Sequence, residues 1–104
     1  MIKIETLKSL NQLEHIVITE HARIRLLERG ITVDDIVNAI SMGEIIKQYE
    51  DDKPLASCLI LGETNDKKYI HVVVSMDTDF IYLITAYYPD IEIWESDFKT
   101  RKKG

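Results

Sequence analysis

Apolar and polar side chains alternate with a helical period over residues 1–43. Ile4, Leu7 and Leu10 lie three residues apart in KIETLKSLNQL, which is the spacing of one face of an amphipathic helix. The run HIVI at residues 15–18 is rich in β-branched residues and predicts a short strand. The chain is therefore expected to begin with a helix and to continue into a strand before its main helices.

Two further helices are predicted from residues that typically begin and end helices. Thr19 is a favourable N-cap, and Gly30 stands where a helix commonly ends in a left-handed residue. The segment between them, residues 20–29, is predicted to be helical. Thr32 begins the next helix and Gly43 ends it, and the aspartate three residues after Thr32 lies in the position of a capping box.

The pattern after residue 43 changes to the period of a β-strand. Four runs are rich in Ile, Val and Tyr, namely EIIKQYE, ASCLILGET, KYIHVVVSM and FIYLITAYY, and the turn sequences DDKP, NDK and DTD separate them. These runs predict four antiparallel strands in meander order. The ending IEIWESDF and the basic residues after it predict a short C-terminal helix.

The predicted fold class is α+β, in a single domain over residues 1–104. Two or three N-terminal helices pack on one face of a four-stranded antiparallel sheet, with a short extra N-terminal strand where HIVI lies. No apolar run approaches the ~20 residues that a membrane span requires. The lone Cys58 and an N-terminus without an apolar signal region predict a soluble cytoplasmic protein.

Charge is distributed unevenly along the chain, whose formal net charge is −5. Residues 1–30 carry five basic and four acidic side chains, residues 31–98 carry four and fourteen, and residues 99–104 carry four basic ones alone. An acidic protein is a poor partner for a phosphate-rich molecule. A fold that brings residues 20–30 beside the basic tail would nevertheless create a local cationic face, so the total charge does not exclude RNA.

Four charged side chains share one face of the predicted 20–29 helix: His21, Arg25, Glu28 and Arg29. One interpretation is an ordinary solvated face on which Arg25 and Glu28 form an ion pair. The other starts from the helix dipole, which favours a bound anion and a neutral imidazole at the second helical position. His21 could then act as a general base beside arginines that stabilise charge. The other side of the helix carries its apolar residues, Ala22, Ile24, Leu26 and Leu27.

A second candidate histidine lies in the KYIHVVVSM run. His71 shares one face of that strand with Tyr69 and Ser75, while the other face is wholly apolar. A histidine in a central strand either is held by a core hydrogen bond or takes part in catalysis, and both interpretations stay open. The tyrosines of the next run, which include Tyr87, either stack a nucleic acid base or pack as ordinary strand aromatics.

The sequence contains no short-range ligand spacing typical of zinc, such as HExxH or paired CxxC, and no Gly-rich phosphate loop. Cys58 lies within the apolar run ASCLIL, where a cysteine serves as inert packing. We therefore expect neither a metal nor a cofactor.

Several segments together resemble the bacterial domain-of-unknown-function 4258 family. TEHARIRLLERGIT, GEIIKQYEDDKPLASCLILG, YIHVVVSMD and YYPDIEIWESDF follow one another in that family's order over roughly residues 16–98. The family is similar to the RelE/ParE and BrnT toxin superfamily, so the resemblance implies a RelE-like fold, an antitoxin partner and a ribonuclease role. The positions that match the family pattern are His21, Arg23, Arg29, Pro54, His71, Tyr87 and Trp94.

The first hypothesis for function is a toxin that cleaves mRNA as a metal-independent endoribonuclease. His21 or His71 would transfer the proton. Arg25 and Arg29 would stabilise the phosphorane, and Tyr87 would position a base. Five further cations are predicted to bind the RNA, namely Arg23, Lys99, Arg101, Lys102 and Lys103.

The alternative hypothesis is a RelE-like protein-binding module without catalysis, or a toxin that does not cleave nucleic acid. The acidic middle of the chain favours this hypothesis, because a basic antitoxin segment could lie against it. The expected partners are an antitoxin protein and RNA or the ribosome, with no membrane. The pattern leaves the oligomeric state undecided, including a homodimer.

Overall fold

The computed structural model describes residues 1–103 of the chain. Within this range, three α-helices and five strands occur, and the predicted α+β class is confirmed. Each observed strand begins and ends within one residue of its predicted run. None of the helices in this range has the length and hydrophobicity that a membrane crossing requires. In chain order, the elements are α1 (Ile4–Ser9), β1 (Ile16–Ile18), α2 (Glu20–Arg29), α3 (Val33–Met42), β2 (Glu44–Tyr49), β3 (Ser57–Glu63), β4 (Tyr69–Met76) and β5 (Ile81–Tyr87).

The strands lie in the order β1-β5-β4-β3-β2. Strands β2 to β5 form the predicted antiparallel meander. Strand β1 lies parallel to β5, with Val17 opposite Tyr82. The described sheet therefore has five strands, because the extra strand predicted at HIVI joins the four-stranded meander as an edge strand.

The ends of α2 and α3 follow the predicted capping pattern. The Thr19 hydroxyl accepts the backbone N–H of Ala22 at 3.1 Å, and Gly30 ends α2 with a φ of 67°. At α3, the Thr32 hydroxyl accepts the N–H of Asp35 at 3.1 Å, while the Asp35 carboxylate accepts the N–H of Thr32 at 3.0 Å. Each such cap stabilises its helix by about 1 kcal/mol.

The three helices pack on one face of the sheet, with α3 over β3 and β4 and with α2 along β5. Among the described residues, the opposite face carries no helix, and we refer to it as the helix-free face. The core under the helices consists of Leu7, Ala22, Leu26, Ile31, Ile36, Ala39, Ile40, Cys58, Ile60, Ile70, Val72, Val74, Ile81, Leu83 and Ala86.

Helix α3 approaches the sheet most closely at Gly62 in β3. A Cβ atom at this position would lie 2.7 Å from the Cα and Cβ atoms of Ala39, which is closer than real Cβ contacts. The absence of a side chain at Gly62 therefore lets the backbone of α3 lie directly on the strand.

The apolar side predicted for α2 is only partly correct. Ala22 and Leu26 are buried, but Ile24 is 45% exposed and Leu27 is 72% exposed. Helix α2 packs mainly against β5, near the edge of the sheet, so only a narrow strip of it meets the core. Ile24 and Leu27 therefore lie outside the core, although they share the apolar side of α2 with Ala22 and Leu26.

The predicted C-terminal helix is wrong. Residues 91–103 form turns and one isolated bridge, between Trp94 and Arg101. The Asp97 carboxylate accepts the backbone N–H groups of Lys99 at 2.9 Å and of Thr100 at 3.0 Å, and Phe98 has a φ of 58°. These local bonds hold the backbone in turns and so replace helical bonds. The segment instead packs against the helix-free face.

Candidate functional site

His71 lies in the middle of β4 on the helix-free face, opposite Leu61 of β3 and Tyr87 of β5. It is fully buried, because the C-terminal segment covers it. Its Nε2 atom lies 2.7 Å from the carbonyl oxygen of Phe98. The Trp94 ring meets the imidazole edge-on with 4.6 Å between ring centroids. His71 is therefore held by a core hydrogen bond, as one of the two interpretations from sequence expected, while a part in catalysis stays a prediction.

The hydrogen bonds of His71 determine which nitrogen carries the proton. The Phe98 carbonyl can only accept, so Nε2 donates to it, and Nδ1 is free to accept from the Tyr87 hydroxyl 3.4 Å away. Burial lowers the pKa of His71, and the bond to Phe98 opposes that shift. The imidazole is therefore neutral near pH 7, and its Nδ1 atom lies next to the hydroxyl of the half-buried Tyr87.

Two arginines and a second tyrosine influence the pKa of Tyr87, and we refer to Arg29, Tyr49, Tyr87 and Arg101 as the arginine–tyrosine cluster. Arg29, at the end of α2, donates from Nη1 to the carbonyl oxygen of Ala86 at 2.7 Å and so lies against β5. Arg101 lies over the Trp94 ring, 5.8 Å from its centroid. The turns of the C-terminal segment therefore place Arg101 over Trp94, whose ring packs against His71 of the sheet.

The pKa values of the two phenols reflect this proximity. Burial raises the pKa of Tyr87, the nearby Tyr49 phenol raises it further, and the charges of Arg101 and Arg29 lower it. Burial also raises the pKa of Tyr49, where Asp52 adds to the shift and Arg101 opposes it. Both phenols are therefore protonated at neutral pH, and each keeps a proton that it can donate.

Sequence reasoning missed Tyr49 and its neighbour Lys47, whose Nζ atom lies 5.4 Å from the centroid of the Tyr49 ring. Both residues lie in β2, opposite Ser57 and Leu59 of β3. The strand period in EIIKQYE places the two residues on the same face of β2. The sequence does not show whether this is also the face of the sheet that carries His71. Only the pairing of β2 with β3 settles that point.

The other charged residues predicted on α2 lie apart from the cluster. His21 is exposed, and its side chain forms no hydrogen bond or ion pair within residues 1–103. It precedes Arg29 by eight residues, which is about 12 Å along a helix axis. Arg23 pairs with Glu20 at 2.6 Å and Arg25 pairs with Glu28 at 3.1 Å, both at the surface. Of the four charged residues predicted on this face of α2, Arg29 is the one that hydrogen-bonds to the sheet within residues 1–103.

The predicted basic tail is also divided. Lys99 forms an ion pair with Glu44 at 2.7 Å, away from the two tyrosines. Lys102 and Lys103 are exposed and form no ion pair within the described range. Of the four tail cations, Arg101 is the one that joins the arginine–tyrosine cluster.

Cys58 and the acidic residues offer little further chemistry. The Cys58 thiol is fully buried, and burial raises its pKa to about 12, so it is unreactive packing as predicted. Within residues 1–103, no three His, Cys, Asp or Glu side chains are grouped so that they could hold a metal ion.

Most of the chain matches a family that is defined by sequence. Residues 18–88 match the family model described as Domain of unknown function (DUF4258), so the chain is a member of that family. The match runs from the end of β1 to just beyond β5 and includes Arg29, Tyr49, His71 and Tyr87. No curated protein and no solved structure matched the chain.

Proposed function

We propose that the protein is a RelE-like toxin that cleaves mRNA without a metal ion, and that the arginine–tyrosine cluster is its active site. The observation that carries this proposal is the Tyr87 hydroxyl, which lies 3.4 Å from Nδ1 of the buried His71 and whose pKa is lowered by the charges of both Arg101 and Arg29. Cleavage of an RNA backbone creates extra negative charge on the phosphorane and requires two proton transfers. The cluster contains groups suited to each requirement.

The reaction begins when the RNA 2′-hydroxyl attacks the adjacent phosphorus. Its proton moves to the Tyr87 oxygen as the Tyr87 proton moves to Nδ1 of His71, the acceptor beside it. The bond to the 5′-oxygen then breaks, and Tyr49 donates a proton to that leaving group. Arg29 and Arg101 stabilise the phosphorane charge. The products are a 2′,3′-cyclic phosphate and a 5′-hydroxyl end.

In this reaction the two histidines predicted from sequence have different roles. His71 does not touch the RNA, because it is fully buried and acts through the Tyr87 hydroxyl. His21 lies at the far end of α2 from Arg29, where it could bind a neighbouring phosphate at the helix N-terminus. Lys102 and Lys103 are exposed and positioned to bind the RNA backbone beyond Arg101.

The layered fold supports the RelE-like part of the proposal. The helices pack on one face of the sheet, and the cluster lies on the other face beside the C-terminal segment, an arrangement that we expect for a toxin of this superfamily. An antitoxin would then mask the helix-free face. A neighbouring reading frame that encodes a small DNA-binding protein would support this partner.

The test is cleavage of a synthetic RNA in EDTA, and of mRNA on translating ribosomes, followed by analysis of the product ends. Tyr87→Phe keeps the ring against His71 and removes the hydroxyl, so cleavage should slow by about 100-fold or more. Tyr88→Phe is the matched control, because Tyr88 is the exposed neighbour outside the cluster. If the wild type cleaves nothing, or if the two variants cleave equally well, the proposal fails.

His21→Ala locates the site independently. Because His21 lies apart from the cluster, this variant should keep most of the cleavage rate. A loss as large as that of Tyr87→Phe would move the active site to the N-terminus of α2. Induction in cells adds a further distinction, since growth arrest with intact RNA would indicate a toxin with a different target.

A further inference from the structure

A cavity of about 560 Å³ opens on the helix-free face, next to Tyr49 of the arginine–tyrosine cluster. One wall is the loop between β2 and β3, and the other is formed by β4 and β5. Its volume is typical of ligand pockets. The residues that matter here are Asp52, Pro54 and Leu55 on the loop and Ser75, Tyr82 and Ile84 on the strands. The cavity adjoins the cluster but shares no lining residue with it.

The wall of the cavity at Ile84 is produced by a bulge in β5. Val73 pairs with Thr85 and Val74 pairs with Leu83, so Ile84 is an extra residue without a partner. Its side chain is more than a third exposed, although it is aliphatic. Bulges commonly redirect a side chain next to a functional site.

Apolar side chains continue from the cavity to the edge of the sheet. Val17 of β1 lies opposite Tyr82 and so shares its face, and the Phe80 ring lies 6.4 Å from the Tyr82 ring. Leu55, Val17 and Phe80 are each more than a third exposed. A small ligand would fill the cavity alone, whereas an extended protein segment would also cover Val17 and Phe80 outside it.

Carboxylates lie at both sides of this strip. Asp52 accepts a hydrogen bond from the buried Ser57 hydroxyl at 2.6 Å, and Asp77 accepts one from the Tyr82 hydroxyl. Asp52, Asp77 and Asp79 are exposed and pair with no cation within residues 1–103, although Lys53 also lines the cavity. The strip is therefore apolar with an acidic border, and a ligand that fits it carries positive charge.

We propose that this strip is the docking site for a basic, apolar-rich segment of a partner protein. An apolar side chain of the segment fills the cavity between Leu55 and Ile84, and a lysine or arginine next to it pairs with Asp52 or Asp77. The site stands whether or not the protein cleaves RNA, because it shares no residue with the arginine–tyrosine cluster.

The probe is a twelve-residue peptide of Leu, Lys and Ser, compared with the same peptide carrying Glu in place of Lys, and binding is followed by amide NMR of the intact protein. The lysine peptide should shift the amides of Leu55, Tyr82 and Ile84. Asp52→Asn should weaken its binding by about fivefold, the scale of one partly exposed ion pair. Asp66→Asn, a carboxylate in the β3–β4 turn, is the matched control and should bind as the wild type does.

Ile84→Ser changes an exposed side chain and should reduce binding while leaving the melting temperature nearly unchanged. Equal binding of the two peptides, or amide shifts centred elsewhere, would overturn the proposal. In a second experiment, phenethylamine replaces the peptide, because it carries the same apolar and cationic groups in a small molecule. If it binds as tightly as the lysine peptide, the cavity takes a free amine and the protein-docking proposal is overturned.

Discussion

Replacing His71 by leucine is the most direct test of how the C-terminal segment is held on the sheet. Leucine has a similar size, so it fills the space of the ring while removing both of its hydrogen bonds. The Phe98 carbonyl loses the 2.7 Å bond from Nε2, and the Tyr87 hydroxyl loses its acceptor at Nδ1. The segment that carries Arg101 would then be held on the sheet by apolar contacts and by the exposed ion pair between Lys99 and Glu44.

The magnitude follows from these two bonds. Leaving a buried carbonyl without a donor costs about 1–3 kcal/mol, and an ordinary hydrogen bond contributes about 0.5–1.5 kcal/mol. We expect the free energy of unfolding to fall by about 2–4 kcal/mol, measured by urea denaturation. For a domain of this size, the melting temperature should fall by about 10 °C or more.

His21→Leu is the matched control, because His21 is exposed and unbonded within the described residues, and its free energy of unfolding should change by less than about 0.5 kcal/mol. Hydrogen exchange gives a local measure, since the amides of residues 94–102 should lose protection in His71→Leu. The reasoning is refuted if His71→Leu changes stability by no more than the control does and the protection of the segment is unchanged.

Three further predictions concern the core and the pH dependence. Leu26→Ala should lower the free energy of unfolding by about 2–5 kcal/mol, because this side chain is buried. Leu27→Ala should lower it by less than about 0.5 kcal/mol, because Leu27 is 72% exposed. Equal losses in urea denaturation would mean that α2 is oriented differently. Gly62→Ala should destabilise the protein by about 1–3 kcal/mol because its Cβ would meet Ala39, and a neutral result would show that α3 can shift away. Burial lowers the pKa of His71, so the unfolded chain binds this proton more readily, and the stability contributed by the neutral imidazole is lost as the pH falls below the ordinary histidine pKa of about 6.5. Between pH values of about 7 and 5 the wild type should therefore lose more stability than His71→Leu, and parallel curves for the two proteins would contradict this cause.

Local sequence signals predicted the helices and the strands of this fold well. Thr19 and Gly30 mark the ends of α2 because capping depends on a few adjacent residues. The meander was predictable because turn residues separate runs with a strand period. The parallel pairing of Val17 with Tyr82 was not, since it joins residues that are far apart in the chain and depends on tertiary packing.

The site was harder to predict than the fold. Arg29 and Tyr87 were singled out from the sequence, but Tyr49 was not, because its influence on Tyr87 acts between β2 and β5, which the order of the assembled sheet separates by two strands. The pattern IEIWESDF suggested a helix, although local bonds from Asp97 produce turns that bring Arg101 to the sheet. Side-chain competition with the helical backbone is the physical reason for this error.

The arrangement of the arginine–tyrosine cluster also has a consequence for biosynthesis. Arg29 comes before the meander in the chain and Arg101 comes after it, so the two guanidinium groups are made at different times. The meander is therefore synthesised before Arg101, and the second guanidinium group of the cluster is added only after the strands that it lies against.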